Sequence, residues 1–382
     1  MKKYIIFGAG RYGEEALLYY GSANVAYFCD NKKSGKVIRG IEVISFEKLC
    51  EIWRDYEVIL AVWSGNNRAA MVKQLEENAI VYTSFQSLES YAQDDNFSGE
   101  YHFIDRSKGK EKLLIILAGY KSFLWESVFG RVKRYAASDM DVCVLTAGYQ
   151  NDELVSLCER EEWSYLHTVE NKLALVQNLA IREHRSAKWI YKMDEDIFLT
   201  DGVFEELYDT YQTVEQEQKY RIGFVAPLMA VNSYGYRRIL EYLGCLEEYR
   251  NTCGDAYYGG GKVFNDPQAA EYLWNKTLPI DKFAAGLREK EEKYSICYHR
   301  FSIGCILISR LVWETMGGFK NAPEGVLGID EEHLCMWCMN ASRAIVVAEH
   351  AYAGHFAFGP QTEQMREMYQ ARRAEFDGES ER

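Results

Sequence analysis

The chain lacks any uncharged apolar run of about 18 residues, so no segment is expected to span a bilayer as a helix. Its opening, Met1-Lys2-Lys3-Tyr4-Ile5-Ile6-Phe7, passes from a short basic start into a brief apolar stretch halted by Gly8, unlike the long apolar core of a signal peptide. A cytoplasmic protein is expected, with at most peripheral contact at the inner face of a membrane. The absence of a basic amphipathic helix lends even that contact no support. Positive charge is also short: 44 Lys+Arg stand against 57 Asp+Glu, a formal net charge of -13. That balance repels a phosphate backbone and excludes nucleic acid as a partner. Anionic nucleotides stay within reach if a metal ion and backbone N–H groups neutralise their phosphates locally. Cysteine, 10 in 382 residues, is too thinly scattered for a secreted disulfide framework and reads as reduced thiol. Cys335 and Cys338 share a C-x-x-C spacing, but no second pair follows, and the surrounding Leu334, Met336, Trp337 and Met339 favour a packed helix over a zinc or redox site. No internal repeat or low-complexity block is present.

What is present suffices for two cores. Apolar residues make up 48% and charged residues 26% of a chain too long for one ordinary domain. Over 1–95, short apolar strands alternate with helical stretches (Tyr4–Phe7, Ala16–Tyr20, Val25–Cys29, Phe46–Trp53, Val58–Val62, Ala69–Leu75), the pattern of a parallel sheet covered by helices. The polar Ala92–Gly99 stretch and charged Asp105–Lys112 mark a linker over 96–112. A second series then opens with a strand at Leu113–Ala118, a helix at Phe123–Tyr135 and a strand at Val142–Thr146. Helices at Glu153–Glu161 and Leu173–Glu183 follow, then a strand at Trp189–Met193 that runs into three acids. Strands at Arg221–Val225 and Phe301–Ile308 and a helix at Glu331–Met339 complete a domain over 113–360. Residues 361–382 read as a charged, fraying tail. The fold class expected is α/β throughout.

Two constellations carry chemistry. Gly8-Ala-Gly10-Arg-Tyr-Gly13 follows a strand and opens a helix, and Asp30 ends the next strand, the context of a dinucleotide-binding fingerprint. Gly8 would make the turn, Gly10 would admit a phosphate and Gly13 would let helix pack on strand. The helix N-terminus would attract the anion and Asp30 would take ribose hydroxyls. The same glycines would equally serve a scaffold that binds nothing. Because the domain stops near residue 95, it amounts to half of a full dinucleotide unit, which argues against a dehydrogenase. With Tyr27-Phe28-Cys29-Asp30-Asn31 and Arg39-Gly40-Ile41-Glu42-Val43, the segment resembles the Rossmann-like N-terminal domain of bacterial sugar acetyltransferases and polysaccharide-assembly proteins.

The second constellation is Asp194-Glu195-Asp196, lying between apolar Lys188–Met193 and Ile197–Leu199. Three carboxylates at a strand end repel one another unless a cation joins them. Mg2+ or Mn2+ suits such oxygen ligands and keeps positions open for a diphosphate. The stretch Asn171-Lys-Leu-Ala-Leu-Val-Gln-Asn178, the acidic triplet, Phe301–Ser309 followed by Met316-Gly-Gly-Phe319, Gly328-Ile-Asp330-Glu331-Glu332-His333-Leu334-Cys335, and Val346–His355 together resemble GT-A type glycosyltransferases, nearest to glycosyltransferase family 2.

That resemblance implies a GT-A α/β/α domain with metal ligands at Asp196, Asp194 and His355, His355 aligning better than His350. It implies donor contacts at Asp194, Glu195 and Asn178, and a general base at Glu331, with Asp330 as the alternative because Asp-Glu replaces the family's Glu-Asp. The usual base-reading acids are missing after Val144-Leu-Thr146-Ala147-Gly148, so Ala118-Gly119-Tyr120 is expected to cover the base with its aromatic ring. The implied reaction moves a sugar from a nucleotide-sugar donor to a carbohydrate or lipid-linked glycan acceptor, in bacterial surface polysaccharide or glycoconjugate synthesis, with inversion. Rival readings are a sugar nucleotidyltransferase, for which Leu113–Lys121 offers only Gly119 and Lys121, and a nucleotide-sugar sensor or scaffold. Oligomeric state, donor base and acceptor stay open.

Overall fold

The computed structural model describes residues 3–62, 65–85, 96–259, 262–321, 328–356, 359 and 361–378. The chain is α/β and divides into two compact units, Met1–Ser98 with Leu311–Gly318, and Gly99–Arg310 with Phe319–Arg382. Among the described residues no helix is long and apolar enough to cross a membrane.

In the first unit, β1 (Lys3–Phe7), β2 (Val25–Cys29), β3 (Val37–Ile38), β4 (Ile41–Ile44), β5 (Tyr56–Leu60) and β6 (Tyr82–Ser84) form one sheet in the order β3-β4-β2-β1-β5-β6. All neighbours pair in parallel except the β3–β4 hairpin. The period of two in β1 divides its side chains between faces. Ile5 and Phe7 join Leu49 and Leu75 on one side, while Ile6 joins Ala16 and Leu17 on the other. Both faces are therefore buried, as helix-covered parallel strands require. Parallel strands flank β1 on both sides, so the sheet is more complete than the half-unit expected from the sequence.

The unit is also discontinuous. Leu311–Gly318 belongs to it, with Trp313 fully buried and edge-on to Phe97 at 5.7 Å. The expected boundary at residue 95 lies outside the described residues.

The second unit holds β7 (Tyr101–Ile104), β8 (Lys112–Leu117), β9 (Met140–Ala147), β10 (Ser164–Thr168), β11 (Trp189–Asp194), β12 (Ile197–Leu199), β13 (Arg221–Leu228), β14 (Tyr294–Cys297), β15 (Cys305–Ser309) and β16 (Arg343–His355). Their order is β12-β16-β13-β15-β11-β8-β9-β10-β7, with β14 on β16. Strands β10, β9, β8 and β11 are parallel, and β15 runs antiparallel to β11. Leu113 to Ile116 in β8 are completely buried, as are Leu175 to Ile181 of the covering helix Leu173–Glu183. The order turns back between β8 and β11. In open α/β sheets a ligand crevice lies at such a reversal, beyond the carboxyl ends of the strands.

Three segments differ from expectation. Residues 96–112 are not a free linker: β7 pairs antiparallel with β10, and the N–H groups of Lys108 and Lys110 donate to Asp141 at 2.8 and 2.9 Å. The C-terminal segment is no fraying tail, because Thr362–Asp377 is a helix that buries Met365, Tyr369 and Phe376 beneath its charged face. Phe301–Gly304 stays outside β15, since the Phe301 and Ile303 N–H groups point to Cys335 Sγ and Glu331 Oε2 rather than to a ladder.

Candidate active site

The carboxyl ends of β8 and β11 lie side by side, Leu117 in register with Asp194, so the loop Ala118–Lys121 meets the acidic triplet. The chain turns at Glu195–Asp196, and the three acids part there. Glu195 turns inward, 4% exposed, and accepts the N–H groups of Gly119 (2.8 Å), Tyr120 (2.6 Å) and Lys121 (3.0 Å) and the Trp125 indole N–H (2.5 Å). These four donors fill its carboxylate. The expected contact of Glu195 with a donor is therefore replaced by a brace that fixes the β8 loop. Gly119 sits at φ +141°, where a Cβ would lie 2.4 Å from the Tyr149 hydroxyl that donates to the Gly119 carbonyl. Ala118 is buried and offers no side chain to the crevice, whereas the Tyr120 ring is 64% exposed.

Asp194 and Asp196 face the other way, each with a lysine. Lys192 Nζ donates to Asp194 Oδ1 at 2.6 Å and to the Ile303 carbonyl at 2.8 Å. Lys121 Nζ donates to Asp196 Oδ2 at 2.7 Å. Desolvation raises the Asp194 carboxyl above the usual range, Lys192 opposing and Asp196 adding to the rise. Burial also presses on Asp196, but Lys121, His355 and Lys192 outweigh it and hold that carboxyl below the usual range. Lys192, itself buried, is raised because Asp194, Asp330 and Glu331 outweigh its desolvation.

His355, at the end of β16, places Nε2 3.8 Å from Asp196 Oδ2. Its Nδ1 lies 2.9 Å from the Val231 carbonyl. A carbonyl accepts only, so Nδ1 carries the hydrogen, and Nε2 is the ring nitrogen left to face Asp196 or, in the neutral ring, to serve as a metal ligand. His350 lies elsewhere, its Nε2 2.8 Å from the Lys290 carbonyl.

Helix Ile329–Asn340 brings the acids of its first turn near enough to Lys192 to act on it through space. Glu331 Oε1 accepts from Arg300 Nε at 2.6 Å and Oε2 from the Ile303 N–H at 3.3 Å. Asp330 Oδ2 accepts from buried Gln177 Nε2 at 3.2 Å. Farther along the helix, Cys335 and Cys338 are buried and their thiols pushed up to about 12, so both act as packing groups.

Asn178 is not at the crevice. It is completely buried, its amide exchanging two hydrogen bonds of 2.8 Å with the Phe319 backbone, so its polar atoms are spent on the chain instead of on a donor. Lys121, named from the sequence only for the rival nucleotidyltransferase reading, and Lys192, not singled out there, complete the site. For Lys192 a signal existed: on a strand, residues two apart share a face, which sets it beside Asp194.

In the first unit, Asp30 also differs from its expected part. Its Oδ2 accepts the Ala9 N–H at 3.0 Å, and Oδ1 accepts those of Lys32 and Lys33 at 2.8 and 3.0 Å, so it braces the glycine turn. Gly8 and Gly13 are demanded by the fold: a Cβ would lie 2.2 Å from the Ala61 carbonyl oxygen and 1.9 Å from the Gly8 carbonyl oxygen, respectively. Gly10 has nothing within 4 Å of that position. Gly13→Ala is accordingly expected to destabilise this unit by about 3 kcal/mol, and Gly10→Ala by less than about 1 kcal/mol. Urea titrations of both variants check this, and equal midpoints would contradict it.

No family model matches the chain, and no curated protein matches it. Among solved structures, a mannosyltransferase from Pyrobaculum calidifontis in complex with GDP-Man and Mn2+ is similar at 13% identity and a TM-score of 0.38, over 66% of this chain and 58% of that one. GalNAc-T7 with UDP, GalNAc and Mn2+ is similar at 9% identity and a TM-score of 0.37, over 77% and 53%. The chain thus spans little more than half the length of either. What it does has to be read from its own residues.

Proposed function

We propose that this chain is a glycosyltransferase with a GT-A type second unit, moving a sugar from a nucleotide-diphosphate-sugar to an acceptor hydroxyl. The observation that carries the reading is the approach of His355 Nε2 to Asp196 Oδ2 at 3.8 Å, beside a braced loop at the sheet's reversal. In chemical type, two carboxylates and an imidazole suit Mn2+ or Mg2+. Among the described residues no three such side chains close around one point, and Lys121 already stands on Asp196. Asp196, Asp194 and His355 would hold the ion, which would supply charge stabilisation for a leaving diphosphate.

The remaining steps belong to protein groups. The exposed Tyr120 ring stacks on the nucleobase. Lys192, with its ammonium on Asp194, holds that carboxylate in place. Glu331 takes the proton of the acceptor hydroxyl as its oxygen bonds to the anomeric carbon. The bond from that carbon to the diphosphate breaks on the opposite face, so configuration inverts and the nucleoside diphosphate leaves with the electron pair. The acceptor is a carbohydrate or a lipid-linked glycan, and bacterial surface polysaccharide or glycoconjugate synthesis is the setting this reading implies.

Incubation of the purified chain with a panel of nucleotide-sugars and Mn2+ is expected to release free nucleoside diphosphate from one of them, and chelator should stop the release. Pyrophosphate release from a nucleoside triphosphate and a sugar phosphate would instead identify a nucleotidyltransferase. Binding without turnover on any acceptor would identify a sensor.

A further inference from the structure

Lys121 occupies a singular position. Its backbone N–H is fixed by Glu195, the residue preceding Asp196, so the brace that shapes the β8 loop also aims the side chain back over the triplet. Its ammonium lies 2.7 Å from Asp196 Oδ2, with the lysine side chain 12% and the aspartate 2% exposed. The same oxygen is the one that faces His355 Nε2, at 3.8 Å. Lys121 therefore stands on the atom that Asp196 and His355 would need to share through a cation. Lys192 acts on Asp196 through space alone, because its ammonium is hydrogen-bonded to Asp194 Oδ1 and the Ile303 carbonyl.

We propose, on the basis of the glycosyltransferase reading, that Lys121 is an exchangeable counter-ion. It neutralises Asp196 while the donor is absent, yields Oδ2 to the divalent ion, and moves its ammonium onto the diphosphate that arrives with it. The physical reason is charge balance. An ammonium and a divalent cation on one carboxylate oxygen repel each other strongly in a site this buried. A nucleoside diphosphate supplies the negative oxygens that let both cations stay. Metal and nucleotide must then bind with positive coupling, each raising the affinity of the other by the same factor. Lys121 is the residue that sets the coupling, because it penalises the metal alone and rewards the pair. Glu195 has a positioning part in this, through the loop it holds.

The test is Mn2+ binding followed by electron paramagnetic resonance, with the ion alone and with UDP or GDP present, so that no turnover is needed. Lys121→Met is expected to tighten Mn2+ binding in the absence of nucleotide at least ~10-fold, since the competitor is gone. The same change should weaken UDP or GDP binding and collapse the coupling factor towards one. Lys121→Arg, which keeps the charge, should retain weak metal binding and strong coupling. Thermal unfolding of each variant reports whether it folds, and Lys121→Gln replaces Lys121→Met if the latter does not. Equal Mn2+ affinities in the wild type and in the charge-removing variant overturn the proposal while leaving the metal reading intact. Failure of the wild type to bind Mn2+ even with both nucleotides overturns the metal reading, and the proposal with it.

Discussion

Glu331→Gln is expected to lower turnover by ~10²–10⁴-fold, the usual contribution of a positioned general base, while leaving donor binding close to that of the wild type. The side chain is well placed for such a separation of effects. Arg300 Nε and the Ile303 N–H hold its two oxygens, and a glutamine amide oxygen can accept one of those bonds in the same shape. What the amide cannot do is take a proton. Asp330 is the control: its carboxylate accepts from buried Gln177, and Asp330→Asn should cost far less turnover than the change at Glu331. Steady-state rates, together with donor affinity by calorimetry, distinguish the two. Wild-type turnover in Glu331→Gln with a collapse in Asp330→Asn would move the role one residue.

Asp196→Asn is expected to abolish the metal-dependent part of donor binding. The aspartate is nearly solvent-free and sits between Lys121 and His355, so its negative charge is the feature that attracts a cation into that space. An amide has no net charge to offer. The substitution also strips Lys121 of its counter-ion, so a stability loss of about 1–3 kcal/mol should accompany it. Because the folded carboxyl is held below its ordinary range, its contribution to stability is present above that range and fades as pH falls through the lowered value. In the asparagine variant this acid-limb dependence should flatten. Calorimetry of donor binding with Mn2+ and with chelator gives the direct reading. Identical heats under both conditions in the wild type would remove the metal from the site.

Much of the fold can be read from local pattern. Strands with a completely buried centre, such as β8, announce themselves as unbroken apolar runs, and helix Leu173–Glu183 as one long apolar block bounded by charge. The acidic triplet is legible because carboxylates rarely interrupt an apolar strand without a partner. The partners themselves are not local. Lys121 is 75 positions away from Asp196 and meets it only because β8 and β11 are neighbours in a particular register. Asn178 misleads for the opposite reason: an amide on a helix near the site has the chemistry of a ligand contact, and nothing in the sequence says that Phe319 consumes it. The helix Thr362–Asp377 is hidden by composition, since its three buried side chains are outnumbered by charges on the outer face. Trp313 and its neighbours join the first unit from far along the chain, a long-range association that no window of sequence contains.

The irregular stretch Arg300–Gly304 has a mechanical meaning. One of its ends grips Glu331 through the Arg300 side chain and the Ile303 N–H, while the Ile303 carbonyl grips Lys192 and Gly304 accepts the Asp194 N–H at 2.9 Å. A few backbone atoms thus act as a spacer bar between Glu331 and Asp194, the last residue of β11. On the proposed function, the gap across which a sugar would have to fit is set in large part by the backbone of one residue, Ile303, whose N–H and carbonyl hold its two sides.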